Sequence, residues 1–239
     1  MNKMELAKLF WKEGFEHANQ FEEEYSFKAN LANESIKLPD PKKFQPEMNC
    51  FTELIMKRRT LRKYQDKMLT IEQLSFLLWC TQGESLQKND RSFRTVPSAG
   101  CTHPFETYVV INRVENIAAG LYYYDLKNHE LKAVVLQKEF NCLALQETFL
   151  GQPQVSNCSA LFIWLAIPSR TSQRYGIRAY RYFNMDVGHI CQNFCLAAES
   201  INGGACELGA FNDEKLNDYL ELDSNNIFAV YAGTIGFRA

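Results

Sequence analysis

The chain has 239 residues, of which 46% are apolar and 13% aromatic, so it can bury a sizeable core as one large domain or two small ones. Its 26 Lys and Arg against 28 Asp and Glu give a formal net charge of −2, without the positive excess of dedicated nucleic-acid binders. The longest apolar run, residues 160–167, is far shorter than the roughly 20 residues that span a bilayer. We therefore expect neither nucleic acid nor membrane as a partner.

The N-terminal region is predicted to be a separate segment. Its first ten residues include three charged side chains where a secretory signal needs an unbroken apolar stretch, which predicts a cytoplasmic protein. Residues 1–47 carry three of the seven prolines and are predicted to form a short helix and then an extended arm. Residues 48–239 are predicted to form the main domain.

The chain contains eight cysteines and no Cys-x-x-Cys pair. Cys191 and Cys195 lie four apart near His189, but one His and two Cys lack the paired spacing of structural zinc. We interpret the cysteines as reduced, buried and inert, and expect no metal.

Two helices are predicted in the first third of the main domain. Phe51, Leu54 and Ile55 have helical spacing, and this helix is predicted to end in the basic stretch, residues 57–63. Thr70 with Gln73 forms a capping box ahead of a second helix. Residues 82–102 are predicted to be an irregular loop.

The rest of the chain alternates strands and helices. Strands are predicted at 107–111, 121–124, 131–135, 161–167 and 227–232, the second and third as a hairpin, and a short helix at 213–220. Apolar residues from Tyr180 to Ile201 repeat at three and four, which predicts a long helix. Gly188 inside it costs about 1 kcal/mol relative to alanine, which favours a close helix contact, as in a dimer.

The basic stretch carries Arg58, Arg59 and Arg62 within five residues, with Thr60 between them. Guanidinium forks and a hydroxyl suit a phosphate group. The same residues could instead solvate a helix end or dock an acidic partner, and the stretch alone favours the solvated helix end.

A second candidate is the loop formed by Pro97, Ser98, Ala99 and Gly100, which combines a hydroxyl with exposed backbone amides. The chain has no Gly-x-Gly-x-x-Gly, no Walker-type motif and no Gly-x-Ser-x-Gly, which argues against a Rossmann domain, a P-loop NTPase and a serine hydrolase. The histidines at 103 and 189 are interpreted as structural.

Together these segments resemble a known family. Residues 58–62, residues 97–104 with the sequence Pro-Ser-Ala-Gly-Cys-Thr-His-Pro, and Leu208-Gly209-Ala210-Phe211 are similar to the flavin-binding segments of the nitroreductase superfamily. Residues 174–199 resemble its SagB-type dehydrogenase branch, which oxidises azoline rings in modified peptides. The resemblance covers roughly residues 50–239.

The resemblance implies an α+β, nitroreductase-like fold: a central, mostly antiparallel mixed sheet flanked by helices, in an intertwined homodimer that binds FMN between its subunits. It implies that Arg58, Thr60 and Arg62 contact the phosphate side, with Arg59 between them. Ser98, Ala99 and Gly100, after Pro97, match a loop that reaches the partner's flavin. The other implied positions are Leu208, Gly209 and Ala210 near the isoalloxazine and the closing glycine Gly236; Arg238 is a further candidate for phosphate charge.

The expected activity is FMN-dependent transfer of hydride from NADH, NADPH or a small organic substrate to an acceptor. The SagB-type branch carries Lys-Tyr where this chain has Arg174-Tyr175. Arginine does not release its proton at neutral pH, so Arg174 cannot act as a base, and Tyr175 is left as the candidate proton donor. The alternatives are a flavin-fragmenting enzyme of the same superfamily and a non-catalytic docking module that uses residues 57–63.

Overall fold

The computed structural model describes residues 25–88 and 91–238. These residues form a seven-stranded sheet in the order β1-β6-β5-β4-β7-β9-β8 and a separate two-stranded hairpin, β2-β3. The strands are β1 (Leu31–Lys37), β2 (Glu84–Lys88), β3 (Arg91–Arg94), β4 (Phe105–Ile111), β5 (Gly120–Asp125), β6 (Glu130–Val134), β7 (Ala160–Ala166), β8 (Gly203–Leu208) and β9 (Phe228–Phe237).

Helices cover both faces of the sheet, as the α+β prediction requires. Every strand pairing of the large sheet among the described residues is antiparallel. The helices are α1 (Phe51–Lys57), α2 (Ile71–Gln82), α3 (Cys142–Thr148), α4 (Gln154–Asn157), α5 (Ser169–Tyr175), α6 (Ala179–Ser200) and α7 (Asp213–Tyr219).

Strand β7 lies inside the sheet, and all seven of its residues are buried. Its side chains alternate between two cores. Phe162 and Trp164 pack toward α2 and α6, whereas Leu161 and Ile163 pack toward α3, α4 and α7. A strand buried on both faces needs a continuous apolar run, which is why residues 160–167 show no polar alternation.

The helices predicted within the described residues and the predicted hairpin are confirmed. Helix α6 spans 22 residues and buries its apolar stripe against α2 and the sheet. Helix α2 begins at the predicted capping box, in which Gln73 N donates to Thr70 Oγ1 at 3.2 Å and Thr70 N donates to Gln73 Oε1 at 3.0 Å. Strands β5 and β6 pair as the predicted hairpin.

Two predictions about irregular segments are wrong. Residues 82–102 contain the β2-β3 hairpin, which the sequence does not reveal because β2 is exposed throughout and has no buried alternation. The final strand continues past residue 232 to Phe237, and β8 at residues 203–208 was not predicted. Glycines at 203, 204, 233 and 236 weaken the strand signal in both segments.

The extended arm of the N-terminal segment contains β1, which pairs antiparallel with β6 at one edge of the sheet. The predicted helix at the start of the chain lies outside the described residues, and the division between residues 47 and 48 stays a prediction. At no point in the described ranges does a helix combine the length and hydrophobicity needed to cross a bilayer.

Candidate functional site

The basic stretch leaves the end of α1 and runs beside β8 at the edge of the sheet. Leu61 N donates to Ala205 O at 2.8 Å, which joins the two segments. A Cβ on Gly204 would lie 2.7 Å from Leu61 Cδ2, so the glycine provides the room in which Leu61 packs. The contact places residues 58–62 next to the strand that ends at Leu208.

A carboxylate that sequence reasoning missed holds this stretch. Glu207 accepts a hydrogen bond from Thr60 Oγ1 at 3.3 Å and lies 3.8 Å from Arg58 Nη1. It also accepts from Cys195 Sγ at 2.9 Å, on helix α6. Glu207 therefore connects the predicted phosphate-side residues to the core helix. In the sequence, Glu207 appears only as a single acidic residue before Leu208, and nothing in the local pattern indicates its partners.

Arg59 and Arg62 have different surroundings. Arg59 Nη1 donates to the carbonyls of Met56 at 3.1 Å and Arg58 at 2.7 Å, so Arg59 caps the end of α1. Arg62 is exposed and lines a cavity of about 550 Å³ that also includes Arg113. The Arg62 side chain also contacts the Cys206 thiol of β8, so the fold uses part of Arg59 at the end of α1 and part of Arg62 at β8.

The segment after β8 is open to solvent. Leu208 is buried, whereas Gly209 and Ala210 are exposed. A Cβ at Gly209 would approach Tyr231 Cε2 to 3.3 Å, and Gln152 Nε2 donates to Ala210 O at 2.9 Å. The backbone here presents an exposed surface with little side-chain bulk beside Glu207.

Two positions near the C-terminus serve packing. Gly236 is buried, and a Cβ there would lie 2.5 Å from Tyr64 Cδ1, so only glycine leaves room for that ring. Arg238 donates through Nη2 to both oxygens of buried Glu199, at 2.8 and 2.6 Å, and through Nη1 to Gly203 O. The structure therefore engages Arg238 in an internal ion pair, in contrast to the proposed phosphate contact.

The Pro97–Gly100 loop is held by a buried carboxylate of α6, which the sequence did not single out. Asp186 accepts from Ser98 Oγ at 2.6 Å and from Ala99 N at 3.2 Å. Ser98 Oγ in turn accepts from His103 N at 2.9 Å. Burial raises the pKa of Asp186, and the bonds from Ser98 and Ala99 oppose that shift.

Helix α5 brings Tyr175 to this loop. Gly100 has φ +60°, and a Cβ there would lie 2.5 Å from Tyr175 Oη and 2.9 Å from Arg174 Nη1. Arg174 Nη1 donates to Gly100 O at 3.2 Å. The tyrosine that the sequence selected as a proton donor therefore stands over the predicted flavin loop.

We expect Gly100→Ala to displace Tyr175 and Arg174 as well as strain the backbone. Its matched control is Gly151→Ala, because Gly151 has φ +72° and nothing within 4 Å of an added Cβ. Both variants should lose about 1–2 kcal/mol of unfolding free energy from the positive φ. Only Gly100→Ala should shift the NMR resonances of the Tyr175 ring; unchanged resonances would contradict the contact.

His103 follows the loop and faces Cys101, with Nε2 3.3 Å from Sγ. Burial, and after it the charge of Arg94, lowers the pKa of His103 to about 4. The ring is therefore neutral at physiological pH.

This shift makes folding sensitive to acid. An unfolded histidine titrates near 6.5, so between about pH 6.5 and 4 the unfolded chain binds a proton that the folded chain does not, and stability falls with the pH. When the pH is lowered from about 7 to about 5, the unfolding free energy of His103→Gln should fall by less than that of the parent, as measured in urea titrations. Equal slopes for the parent and for His103→Gln would refute the assignment.

The two predicted halves of the cofactor site are apart within one chain. Residues 58–62 contact Glu207, which bonds to Cys195, whereas the Pro97–Gly100 loop contacts Asp186. Positions 186 and 195 on α6 are nine residues apart, about 14 Å along a helix axis. In the described part of the chain, no hydrogen bond or ion pair joins the loop to the basic stretch.

The prediction of buried cysteines is only partly correct. Cys158, Cys191, Cys195 and Cys206 are buried, but Cys50 and Cys101 are exposed. A hydrogen bond with Cys191, and then burial, raise the pKa of Cys195. Within the described residues, no cluster of His, Cys, Asp and Glu could hold a metal ion.

Comparison with known proteins identifies the family. The nitroreductase family model matches residues 55–237, and the chain belongs to the nitroreductase family. The fold predicted from the sequence is thereby confirmed, and the family supports an oxidoreductase.

Two relatives and one solved structure show what the chain is similar to. MJ1384, a nitroreductase-like protein of Methanocaldococcus jannaschii, is 34% identical over 187 residues, which cover 78% of this chain and 89% of that protein. The trifolitoxin-processing protein TfxB of Rhizobium leguminosarum bv. trifolii is 32% identical over 145 residues, 59% of this chain but only 37% of TfxB. The NADPH:FMN oxidoreductase of Vibrio harveyi, solved with NAD⁺, shares the fold with a TM-score of 0.55 at 14% identity, covering 78% of this chain and 67% of that chain.

Proposed function

We propose that this protein is an FMN-dependent oxidoreductase that takes hydride from NADH or NADPH and passes it to an organic acceptor. The observation that carries the proposal is the junction of the basic stretch with β8. There, Arg58 and Thr60 contact Glu207, two residues before the exposed backbone of Gly209 and Ala210, and the exposed Arg62 belongs to the same stretch. A phosphate donor set thus adjoins a backbone segment with little side-chain bulk, which suits the two ends of an elongated flavin nucleotide.

The residues of this surface fit FMN in their chemistry. Two guanidinium groups and a hydroxyl suit a phosphate, because charge-assisted bonds to its oxygens are strong and bidentate. Gly209 suits a planar ring, because the absence of a side chain lets a ligand approach the backbone closely. Bound FMN would supply the hydride-accepting ring.

The chain's own residues would hold the FMN and orient it toward the acceptor. Arg58 and Arg62 would fix the phosphate, while Glu207 keeps Thr60 and Arg58 in place through contacts at 3.3 and 3.8 Å. The Pro97–Gly100 loop, held by Asp186, would offer backbone amides to the polar edge of the ring. Tyr175, whose Oη lies next to Gly100, would give a proton to the acceptor as it is reduced.

We infer a homodimer in which the loop of one subunit completes the site of the other. The exposed Gly188 on α6, whose added Cβ would contact nothing in this chain, supports a close approach of a second subunit, and the resemblance to the nitroreductase superfamily implies this arrangement. NADPH and FMN are named for the structurally similar Vibrio harveyi protein, which supports the choice of cofactor and donor.

Gly188 tests the dimer. It is exposed on α6, and nothing lies within 4 Å of a Cβ built on it, so this chain alone does not require glycine. We expect Gly188→Leu to shift the protein to monomer in light scattering after size exclusion, because a large side chain blocks a close helix contact. Gly188→Ala is the control, and both variants should fold at least as well as the parent, since Gly is the poorer helix former by about 1 kcal/mol. A dimeric Gly188→Leu protein would exclude this contact.

The decisive experiment is the visible absorption spectrum of the freshly purified protein, with the released chromophore identified after denaturation. A yellow protein that releases about one FMN per chain is expected on this mechanism. A colourless protein that also fails to take up added FMN would refute it and favour the docking module. Loss of the released FMN under oxygen would favour the flavin-fragmenting alternative.

A second candidate substrate is a modified peptide. TfxB, which processes trifolitoxin, is 32% identical to this chain over 145 residues, and residues 174–199 resemble the SagB-type branch. The chain spans only 37% of TfxB, and Arg174 stands where that branch has its lysine. Incubating the FMN-loaded protein with an azoline-containing peptide and oxygen tests this candidate, since oxidation lowers the peptide mass by two hydrogens.

A further inference from the structure

A cavity of about 620 Å³ lies behind the Pro97–Gly100 loop, and no step of the proposed flavin chemistry uses it. It is lined on one side by the β2-β3 hairpin and on the other by β4 and α5. Cationic side chains are more numerous than acidic ones in its wall. The lining comprises Glu84, Gln87, Ser92, Arg94, Thr102, His103, Glu106, Leu126, Lys127 and Arg170.

Arg94 is a largely buried cation in the wall of this cavity, and the groups to which it donates hydrogen bonds are neutral. Its Nη1 donates to Gln82 Oε1 at 2.7 Å and to Phe105 O at 3.3 Å. Gln82 is itself buried and donates through Nε2 to Thr107 Oγ1 at 2.6 Å, which turns its oxygen toward the guanidinium. The arginine is therefore fixed in position before any ligand arrives.

Glu106, an acid in the same cavity wall, already has other partners than Arg94. Glu106 pairs with Arg170 Nη2 at 2.6 Å through Oε1 and accepts from Tyr123 Oη at 2.9 Å through Oε2. Across the described ranges, no carboxylate lies within ion-pair distance of Arg94. Burial lowers the pKa of Arg94, and the charge of Glu106, which is paired directly with Arg170, opposes that shift only in part. A buried charge without a direct ion-pair partner is costly, so this arrangement favours an anion from outside the chain.

The charge of the wall indicates what kind of anion fits. Arg94, Arg170 and Lys127 face Glu84 and Glu106, and His103 adds none at neutral pH, so the surplus is one positive charge. One surplus charge matches a monoanion better than a phosphate dianion. The planar guanidinium of Arg94 matches the two oxygens of a carboxylate, and the cavity has the volume of a small-molecule site.

We propose that this cavity is a binding site for a small organic carboxylate, held by Arg94 in a wall that also includes His103. The site does not depend on the flavin. It places a recognition pocket directly behind the loop that carries Ser98 and Gly100, so its ligand is suited to act as a substrate group or an effector next to the flavin site.

The test is calorimetric titration of the purified full-length protein with benzoate, with benzamide as the neutral analogue and inorganic phosphate as the dianion, at constant ionic strength. Benzoate should bind at one site per chain, at least about tenfold more tightly than either comparison, because a charge-assisted bidentate pair is lost in both. Equal binding of benzamide would overturn the proposal, as would tighter binding of phosphate. Absence of benzoate binding would overturn it too.

Two variants locate the site. Arg94→Lys keeps the charge but loses the planar fork, and it should weaken benzoate binding at least about tenfold. Lys43→Gln removes an exposed charge outside the cavity, where Lys43 pairs with Asp40 at 3.9 Å, and should change the affinity by less than about threefold. Benzoate binding unchanged in a folded Arg94→Lys protein would overturn the proposal. No reductant or turnover is involved, so these results are independent of whether the protein uses FMN.

Discussion

Replacement of Arg58 and Arg62 together by alanine is expected to weaken FMN binding by about a hundredfold or more while the protein stays folded. Each charge-assisted hydrogen bond to the phosphate contributes about 1.5–3 kcal/mol, so the loss of two amounts to at least about 3 kcal/mol. The cost in stability should be small. Arg62 is exposed, and Arg58 lies 3.8 Å from Glu207, a partly exposed pair of the kind that contributes about 0–1 kcal/mol.

The measurement is a titration of the flavin-free protein with FMN, followed by quenching of flavin fluorescence, with thermal unfolding recorded for each protein. Lys57→Ala is the matched control, because Lys57 belongs to the same basic stretch but points to Glu53 of its own helix at 3.8 Å. It should bind FMN like the parent. An equal loss in Lys57→Ala would indicate a general electrostatic effect, and an unchanged affinity in the double variant would remove these arginines from the site.

Local patterns explain why much of the fold was predictable from the sequence. Helix α6 follows a three-and-four repeat over 22 residues, and α2 begins at a capping box whose two hydrogen bonds form as expected. Strand β7 is a continuous apolar run because both of its faces are buried. In each case the residues that determine the structure are neighbours in the sequence.

The segments that escaped prediction depend on distant residues. Strand β8 begins with Gly203 and Gly204, which a sequence pattern treats as strand-breaking. The structure accounts for Gly204 through Leu61, which occupies the space of the absent side chain. Gly233 similarly admits the ring of Phe194, since a Cβ there would lie 2.6 Å from Phe194 Cε1. Neither partner is visible in the local sequence.

The candidate site shows the same division. Its motifs at 58–62, 97–100 and 208–210 were recognisable, whereas the carboxylates that hold them were not. Glu207 acts on Thr60, 147 residues earlier, and Asp186 acts on Ser98, 88 residues earlier. Glu199 forms an ion pair with Arg238, the residue that its position suggested as a further phosphate contact. The sequence around an acidic residue on a helix or strand does not indicate that it anchors a distant segment.

Asp186 is expected to be essential to flavin binding although it does not belong to any of the predicted motifs. Asp186→Ala removes the acceptor of Ser98 Oγ at 2.6 Å and of Ala99 N at 3.2 Å, which leaves the loop without its attachment to α6. We expect at least about a tenfold loss of FMN affinity, because bonds to a carboxylate contribute about 1.5–3 kcal/mol each to the position of the loop. Asp125→Ala, which breaks the 2.8 Å pair with Lys132 at the other side of the sheet, is the control and should bind FMN normally.

Mixed dimers then decide whether the loop serves its own subunit or the partner. A subunit with Asp186→Ala keeps its arginines, and a subunit with Arg58→Ala and Arg62→Ala keeps its loop. If the site is shared, a dimer of one of each contains one site built from the intact arginines of the first and the intact loop of the second. Unfolding and refolding an equal mixture should then restore FMN binding to about a quarter of all sites, since half of the dimers are mixed and each has one complete site.

If the loop acts within its own chain, every site keeps one defect, and the mixture binds no more FMN than the two variants separately. Recovery of binding in the mixture would therefore establish the two-subunit site independently of any structure of the complex, and its absence would return both halves of the site to one chain.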